Sequence, residues 1–194
     1  MPQADIFLHL RVVMGIVLGL SLARLLNGTA RFVQHPGRQA IYLVHLGWVA
    51  WTVLLLVHFW WWEFLLVTIP QWTFGLYLFV FAYIVLLFLL CTLLYPDDLG
   101  GYTGYENYFF SRRRWFFGLL GATFVFDFVD TVLKGASHYA GFHGEYLVRI
   151  PAYLLLCGIA MTTTNRWFHG GFVMVSLVYE ISWILRFSDR LLPG

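Results

Sequence analysis

The stretch Ile41–Ile69, IYLVHLGWVAWTVLLLVHFWWWEFLLVTI, decides the fold class of this chain. It is longer than the roughly 20 apolar residues that a helix needs to cross a bilayer. It contains no Asp, Lys or Arg, and Glu63 is its single carboxylate. A charge deep in hydrocarbon costs about 2.5–3.5 kcal/mol on insertion scales, so Glu63 is a candidate functional residue from the start.

Five further apolar runs approach or exceed the spanning length, and breakers such as His35-Pro36-Gly37 and Pro96-Asp97-Asp98 separate them. Within lipid the backbone must satisfy its own hydrogen bonds, so such runs are helices. We therefore expect an all-α fold, a polytopic transmembrane bundle of six helices, with residues 1–194 as a single transmembrane domain. The five further runs are Ile6–Asn27, Trp72–Tyr95, Trp115–Leu133, Tyr146–Thr163 and Phe168–Phe187.

Composition supports a membrane protein and excludes other classes. The chain is 60% hydrophobic and 11% charged, whereas soluble domains carry about 25% charged residues. The lipid bilayer is thus its first partner, and the absence of a basic face in the sequence speaks against a nucleic-acid partner. Cys91 and Cys157 lie in apolar runs, which favours buried packing residues over a disulfide or metal pair. The sequence does not identify a cofactor.

Lys and Arg in short loops predict the orientation, because such residues are enriched on the cytoplasmic side. The first, third and fifth loops carry the larger share, which places both termini outside the cytoplasm. The longest loop, Pro96–Arg114, ends in three arginines that we expect to contact anionic lipid headgroups. The arginines of these loops are Arg31, Arg38, Arg112, Arg113, Arg114 and Arg166.

The ionisable residues inside the spans gather on one side of the bilayer. Successive helices run in opposite directions, so the start of an odd helix and the end of an even helix share a side. Arg24 and His45 are the exceptions, toward the other side. The residues on the side of the termini are His9, Arg11, His58, Glu63, Asp127, Asp130, Lys134, Glu145, Arg149, Glu180 and Arg186.

Helical spacing refines this cluster. Thr123, Asp127, Asp130 and Lys134 recur every three or four residues and form one stripe on the fourth helix. At 100° per residue, His58 points about 140° away from the face of Glu63.

Two acid–base pairs in the cluster have the favourable i,i+4 spacing, Asp130 with Lys134 and Glu145 with Arg149. That leaves the carboxylates of Glu63, Asp127 and Glu180 competing for Arg11, with His9 and His58 as titratable extras. At least one carboxylate is then neutralised by a proton, a bound cation, a cationic ligand or a partner chain. The candidate ligand- or ion-binding residues are Glu63, Asp127, Glu180, Arg11, His58 and Asp130.

Three functions remain open on this pattern. The first is a one-sided intramembrane cavity that binds and passes a proton, a cation or a small polar solute, as a transporter or channel. The second is a membrane enzyme that uses a metal or acts on a lipid; His138 and His143 would add ligand types, but no compact metal-binding motif is present. The third is a non-catalytic subunit of a membrane complex or a homo-oligomer. Buried ion pairs that only fix helix register are the structural alternative to all three.

Two packing features complete the sequence prediction. Gly15-x-x-x-Gly19 and Gly118-x-x-x-Ala122 are small-residue faces that let helices approach closely. The run Trp72–Tyr95 carries no charge, and we expect it to face lipid or another subunit.

Three segments resemble a group of small bacterial membrane proteins of unknown activity. They are His45-x-x-Trp48, Phe59-Trp60-Trp61 and Arg114-Trp115-Phe116-Phe117-Gly118. The resemblance touches about a third of the chain. It implies a bacterial inner-membrane location and implies no activity or functional residue.

Overall fold

The computed structural model describes residues 3–38, 40–69, 71–135 and 143–187, and within these ranges the chain is an all-α bundle without β-strands. Six helices in the described ranges are long and apolar enough to cross a membrane, as the sequence predicts. We number them α1 to α6, and a 3₁₀ segment, η1, continues α2. Their bounds are α1 Gln3–Gln34, α2 Leu43–Trp62, η1 Glu63–Thr68, α3 Phe74–Leu94, α4 Tyr105–Leu133, α5 His143–Thr162 and α6 Arg166–Phe187.

The helix boundaries differ from the prediction mainly in α4. This helix begins at Tyr105, ten residues before the predicted start at Trp115. Arg112, Arg113 and Arg114 therefore lie within a helix and not at the end of a loop. Hydropathy missed this first part of α4 because it is polar, yet nothing in it breaks a helix. At 1.5 Å per residue, α4 exceeds a hydrocarbon core of about 30 Å, so its polar start extends beyond the core.

Four pairs of helices make most of the contacts in the bundle. α4 packs most extensively against α5 and α3, α1 packs against α3, and α2 packs against α6. α3 packs against α1 and α4 and buries Ile84, Leu87 and Leu90 completely. Phe74, Leu78 and Leu89 of the same helix are exposed. Exposed apolar side chains of this kind suit contact with lipid or with another subunit, and that contact stays a prediction.

The end of α2 shapes the region where the charged residues gather. α2 is regular up to Trp62, and Glu63–Thr68 then continue as a tighter 3₁₀ helix. A 3₁₀ segment is a common way for an α-helix to end. Glu63 is the first residue of this segment and is 4% exposed, which buries its carboxylate among the helices.

The tightest glycine position in the described helices lies outside the two predicted small-residue faces, where Gly118, like Gly15, would make only an ordinary contact. A Cβ on Gly19 would meet no atom within 4 Å, and one on Gly15 would make an ordinary contact with Trp60 at 3.7 Å. In contrast, a Cβ on Gly28 would lie 2.2 Å from ring atoms of Tyr95, which is 1% exposed. The close approach is thus set by a ring between α1 and the end of α3, and a small-residue pattern along one helix does not reveal it.

Gly28→Ala should therefore destabilise the protein by about 1–3 kcal/mol, the usual cost of overpacking a filled core. Gly19→Ala is the matched control in the same helix and should leave stability unchanged or slightly raised, since alanine favours a helix over glycine. Unfolding in detergent, followed by circular dichroism, measures both. Equal midpoints for the two variants would contradict the assigned contact between Gly28 and Tyr95.

Candidate functional site

A small internal cavity on the side of the termini brings the predicted acids together. Its volume is about 50 Å³, and Glu63, Asp127, Asp130 and Glu180 all line it. Five of the six candidate residues border this space, the fifth being His58. We call this space the ionic cavity; its remaining lining residues are Trp51, Leu55, Phe59, Trp62, Tyr83, Thr123, Phe124, Thr131, Lys134, Tyr146, Arg149 and Trp183.

The polar stripe predicted on α4 is confirmed by its placement. Thr123, Asp127, Asp130 and Lys134 all border the ionic cavity. His58 and Glu63 border it as well, although helical geometry put them on different faces of α2. Both side chains border the cavity because they contact different neighbouring helices around it. His58 contacts α6, and Glu63 contacts the end of α4.

Lys134, directly after the last residue of α4, joins two carboxylates. Its Nζ lies 2.8 Å from Glu63 Oε1 and 2.5 Å from Asp130 Oδ2. All three side chains are nearly inaccessible, at 2% for Lys134, 3% for Glu63 and 7% for Asp130. The predicted pair of Asp130 with Lys134 is confirmed. Its extension to Glu63 ties the end of α2 to the end of α4.

Arg149 of α5 pairs with Asp127 of α4, and this corrects the predicted pair of Arg149 with Glu145. Asp127 Oδ2 also accepts a hydrogen bond from the Tyr146 hydroxyl at 3.1 Å, and that hydroxyl accepts one from Thr131 at 3.0 Å. The guanidinium carbon of Arg149 lies 4.7 Å from the ring centroids of both Tyr146 and Trp183. Such stacking stabilises a cation that has been removed from water.

Glu145 takes another partner. Its carboxylate accepts hydrogen bonds from Arg186 of α6 at 2.7 and 3.1 Å, and from the Tyr179 hydroxyl at 2.8 Å. The i,i+4 rule selected Arg149 for Glu145, but a tertiary contact across α5 and α6 is stronger because it is bidentate. Glu145 and Arg186 do not line the ionic cavity.

Glu180 pairs with His58 across α6 and α2. Glu180 Oε1 and His58 Nδ1 are 2.6 Å apart, with side-chain exposures of 8% and 14%. This short contact places a proton between a carboxylate and an imidazole nitrogen.

Arg11 does not take part, contrary to the prediction. It is exposed on α1, and its guanidinium carbon lies 5.5 Å from the Phe7 ring centroid and 5.1 Å from that of Phe64. A long side chain near a helix end can turn outward in this way and keep its charge near water. Lys134 and Arg149 supply the cations that the sequence prediction assigned to Arg11.

Several buried polar atoms on the cavity wall have no hydrogen-bond partner within the described part of the chain. They are Glu63 Oε2, His58 Nε2, Trp51 Nε1 and Arg149 Nε. Buried polar groups in folded proteins nearly always find a partner, in the protein or in ordered water. Unpaired hydrogen-bond acceptors and donors around one cavity are suited to binding a small polar or charged ligand.

A layer of aromatic side chains closes the ionic cavity toward the opposite side of the bilayer. Trp51 lines the cavity, and Trp48, one turn earlier in α2, packs on it at 5.7 Å between ring centroids. Phe117 and Phe172 contact Trp48 at 5.5 and 5.1 Å. Trp48 and Phe117 are completely buried. We call Trp48, Trp51, Phe117 and Phe172 the aromatic layer.

Beyond the aromatic layer, the two outlying residues of the sequence prediction have structural partners. His45 Nε2 lies 2.6 Å from the backbone oxygen of Leu94 at the end of α3. Arg24 donates to the backbone oxygen of Tyr95 at 2.8 Å and lies 2.6 Å from an Asp97 oxygen. The Arg24 guanidinium lowers the pKa of Asp97, which lies outside the spans. Both contacts fasten the end of α3.

The three arginines expected at lipid headgroups lie on the same side as Arg24. Arg112 donates to the Tyr102 hydroxyl at 2.8 and 3.1 Å, and Arg113 donates to the backbone oxygen of Phe110 at 2.6 Å. Arg114 is exposed and precedes Trp115, which is 67% exposed. An exposed Trp beside a cation is typical of the membrane interface, so contact with headgroups remains a prediction.

The described residues contain no group of three His, Cys, Asp or Glu side chains arranged to hold a metal ion. His138 and the side chain of His143, which the sequence offered as additional ligands, lie outside the described residues.

Comparison of the chain with known protein families, with curated proteins and with solved structures gives no match. Assignment of a role to the ionic cavity therefore rests on its geometry and charge.

Lys134→Met should lower the free energy of unfolding by about 3–5 kcal/mol, because it leaves two buried carboxylates without their cation. Arg166→Gln is the control: Arg166 pairs with Glu106 at 2.5 Å, but its side chain is 74% exposed. An exposed pair contributes about 0–1 kcal/mol. Thermal unfolding of both purified variants in detergent compares them, and similar losses in the two would contradict a buried, shared role for Lys134.

Proposed function

We propose that this chain is a multi-pass protein of a bacterial inner membrane that binds a proton or a small cation in the ionic cavity and passes it across the bilayer. One observation carries the proposal. Four carboxylates line the cavity, whereas its permanent cations are Lys134 and Arg149, with His58 as the one titratable base on its wall. With all four carboxylates ionised, one negative charge would be left over even if His58 were protonated.

An uncompensated buried charge is expensive. Removing an ionised carboxylate from water costs several kcal/mol even after the protein relaxes, and a buried ion normally acquires a partner or becomes neutral. A positive species that enters the ionic cavity cancels the excess. Intramembrane acids with this imbalance are typical of ion and proton pathways.

The size of the cavity favours the smallest of the candidate species. A water molecule needs about 10–15 Å³ of such space, so a cavity of about 50 Å³ suits a few waters. A proton carried by water, or a small cation with part of its shell, fits this volume. A larger polar solute would require the helices to separate.

Access is asymmetric, which supports alternating access over an open pore. Asp127 is the most accessible of the four carboxylates, with a side-chain exposure of 28%. The aromatic layer closes the other end. Passage then requires the layer to rearrange after the ion has bound from the side of the termini, as in transporters that expose a central site to each side in turn.

The proposed location follows from the charge distribution. Four arginines lie on the side opposite the termini. Arg31 is in the last turn of α1, and Arg112, Arg113 and Arg114 are in the first part of α4. This supports cytoplasmic exposure of that side and outward termini. Reporter fusions to each loop test the orientation, and cytoplasmic termini would reverse it.

Proteoliposomes provide the test of ion passage. An ion gradient is imposed, and internal dyes for protons, sodium and potassium report the flux. We expect the wild-type protein to carry at least one of these ions, and the double variant Asp127→Asn/Glu180→Gln to fall to the rate of protein-free liposomes, because it removes two of the acids that attract the ion.

Glu106→Gln is the matched control for that experiment, since it removes a carboxylate from an exposed pair on the opposite side. It should retain wild-type flux. Wild-type protein that carries none of the three ions, or a double variant with undiminished flux, would contradict the proposed function.

A further inference from the structure

The four carboxylates of the ionic cavity are not equivalent. Glu63 and Asp130 share Lys134, and Asp127 pairs with Arg149. Lysine and arginine stay charged over the physiological pH range. These three acids therefore have fixed counter-charges. Glu180 differs because its partner, His58, is an imidazole, which can hold a proton on one ring nitrogen or on both.

The geometry of His58 gives a proton two points of contact. Nδ1 faces Glu180 Oε1 at 2.6 Å, whereas Nε2 is buried without a partner in the described chain, on a ring that lines the ionic cavity. A neutral imidazole with its proton on Nδ1 offers a free lone pair at Nε2. A proton can then arrive at Nε2 while Nδ1 remains bonded to Glu180.

Rigid neighbours hold the pair in place. α2 packs closely against α6, so His58 and Glu180 are brought together by a tertiary contact between two long helices. His58 also lies edge-on to Trp62 at 6.1 Å between ring centroids. Few side-chain movements can separate the pair without moving a helix.

The charged and titratable groups around the pair come from every adjoining element. Beside the pair itself, the two permanent cations are on α4 and α5, and the phenols are on α3 and α5. The acids are on η1 and α4: Glu63, Asp127 and Asp130. The cations are Lys134 and Arg149, and the phenols are Tyr83 and Tyr146. Three acids and two permanent cations thus surround the pair, so acidic groups outnumber the basic ones around it.

From this arrangement, and resting on the proposed function, we propose that the species carried is a proton and that the His58–Glu180 pair is its carrier. A proton moves from cavity water onto His58 Nε2, and the resulting imidazolium remains paired with the Glu180 carboxylate. The cavity charge rises by one. Release returns that proton from Nε2 to water, or the Nδ1 proton passes to Glu180 and then leaves its carboxyl group for water. The starting charge is restored only when a proton leaves the pair. Lys134 and Arg149 keep their protons throughout.

Single substitutions separate this carrier from the fixed pairs. Proton flux in proteoliposomes should fall at least tenfold in His58→Gln and in Glu180→Gln, since each removes one half of the pair. Glu180→Asp keeps the carboxylate but lengthens the contact, so its flux should lie between those of Glu180→Gln and the wild type. His9→Gln is the control, because His9 is exposed on α1 and does not line the ionic cavity.

A spectroscopic measurement on the unaltered protein guards against variants that fail to fold. Histidine is labelled with ¹⁵N, and the ring nitrogens are observed in bilayers across the pH range of the flux assay. We expect the ring of His58, whose Nδ1 contacts the Glu180 carboxylate, to change its protonation state in step with the flux. A ring that stays in one state while the flux varies would overturn the proposal.

The outcomes also distinguish this inference from the proposed function. If the wild-type protein carries sodium or potassium but no protons, or if folded His58→Gln carries protons at the wild-type rate, the proton carrier is wrong and the ion-binding cavity stands. If the wild-type protein carries none of the three ions, both fall. Loss of proton flux in His58→Gln and Glu180→Gln, with normal flux in His9→Gln, supports both.

Discussion

The contact of one lysine with two carboxylates constrains the whole charged half of this bundle. Lys134 lies at the end of α4, and the carboxylates it joins lie on η1 and on α4 itself. None of the three groups can move toward lipid without exposing a charge to hydrocarbon, at a cost of several kcal/mol. The end of α2 must therefore stay beside the end of α4. The ionic cavity exists because these two ends are held together while their side chains leave a space between them.

The other two ion pairs extend this constraint around the bundle. Asp127 with Arg149 joins α4 to α5, and His58 with Glu180 joins α2 to α6. The hydrophobic effect contributes little to the association of helices within a membrane, because lipid tails are as apolar as the side chains. Specific polar contacts then contribute more to the register of the helices. α1 and α3 add no charge to the cavity. They pack closely at Gly28 and Tyr95, and Arg24 and Thr29 of α1 form hydrogen bonds with Tyr95.

The sequence predicted the helices and the shared side of the charges, because both follow from hydropathy and the alternation of helix direction. It predicted the pairs only where they are local. The predicted pair of Asp130 with Lys134 is confirmed. Arg149 pairs with Asp127 on another helix, and not with Glu145, its i,i+4 neighbour. Arg11 was assigned to the acids by its depth alone, and rotation about α1 turns it outward. Which face of each helix meets which neighbour is a tertiary property, and a single sequence carries no direct signal for it.

The aromatic layer and the charge excess explain each other when they are considered together. Under the proposed function, the cavity attracts a positive species and must also stop its free passage, and a packed layer of Trp and Phe offers that species no hydrogen bonds or solvation. Trp51 belongs to both parts, as it lines the cavity and packs on Trp48. Its Nε1 is buried without a partner in the described chain, so a change in the contents of the cavity acts directly on the first ring of the layer. Since Trp48 in turn contacts Phe117 of α4 and Phe172 of α6, a shift of Trp51 reaches two helices that also carry cavity acids. Under the proposed function, this chain of contacts would connect ion binding in the charged half of the bundle with the packing of the other half.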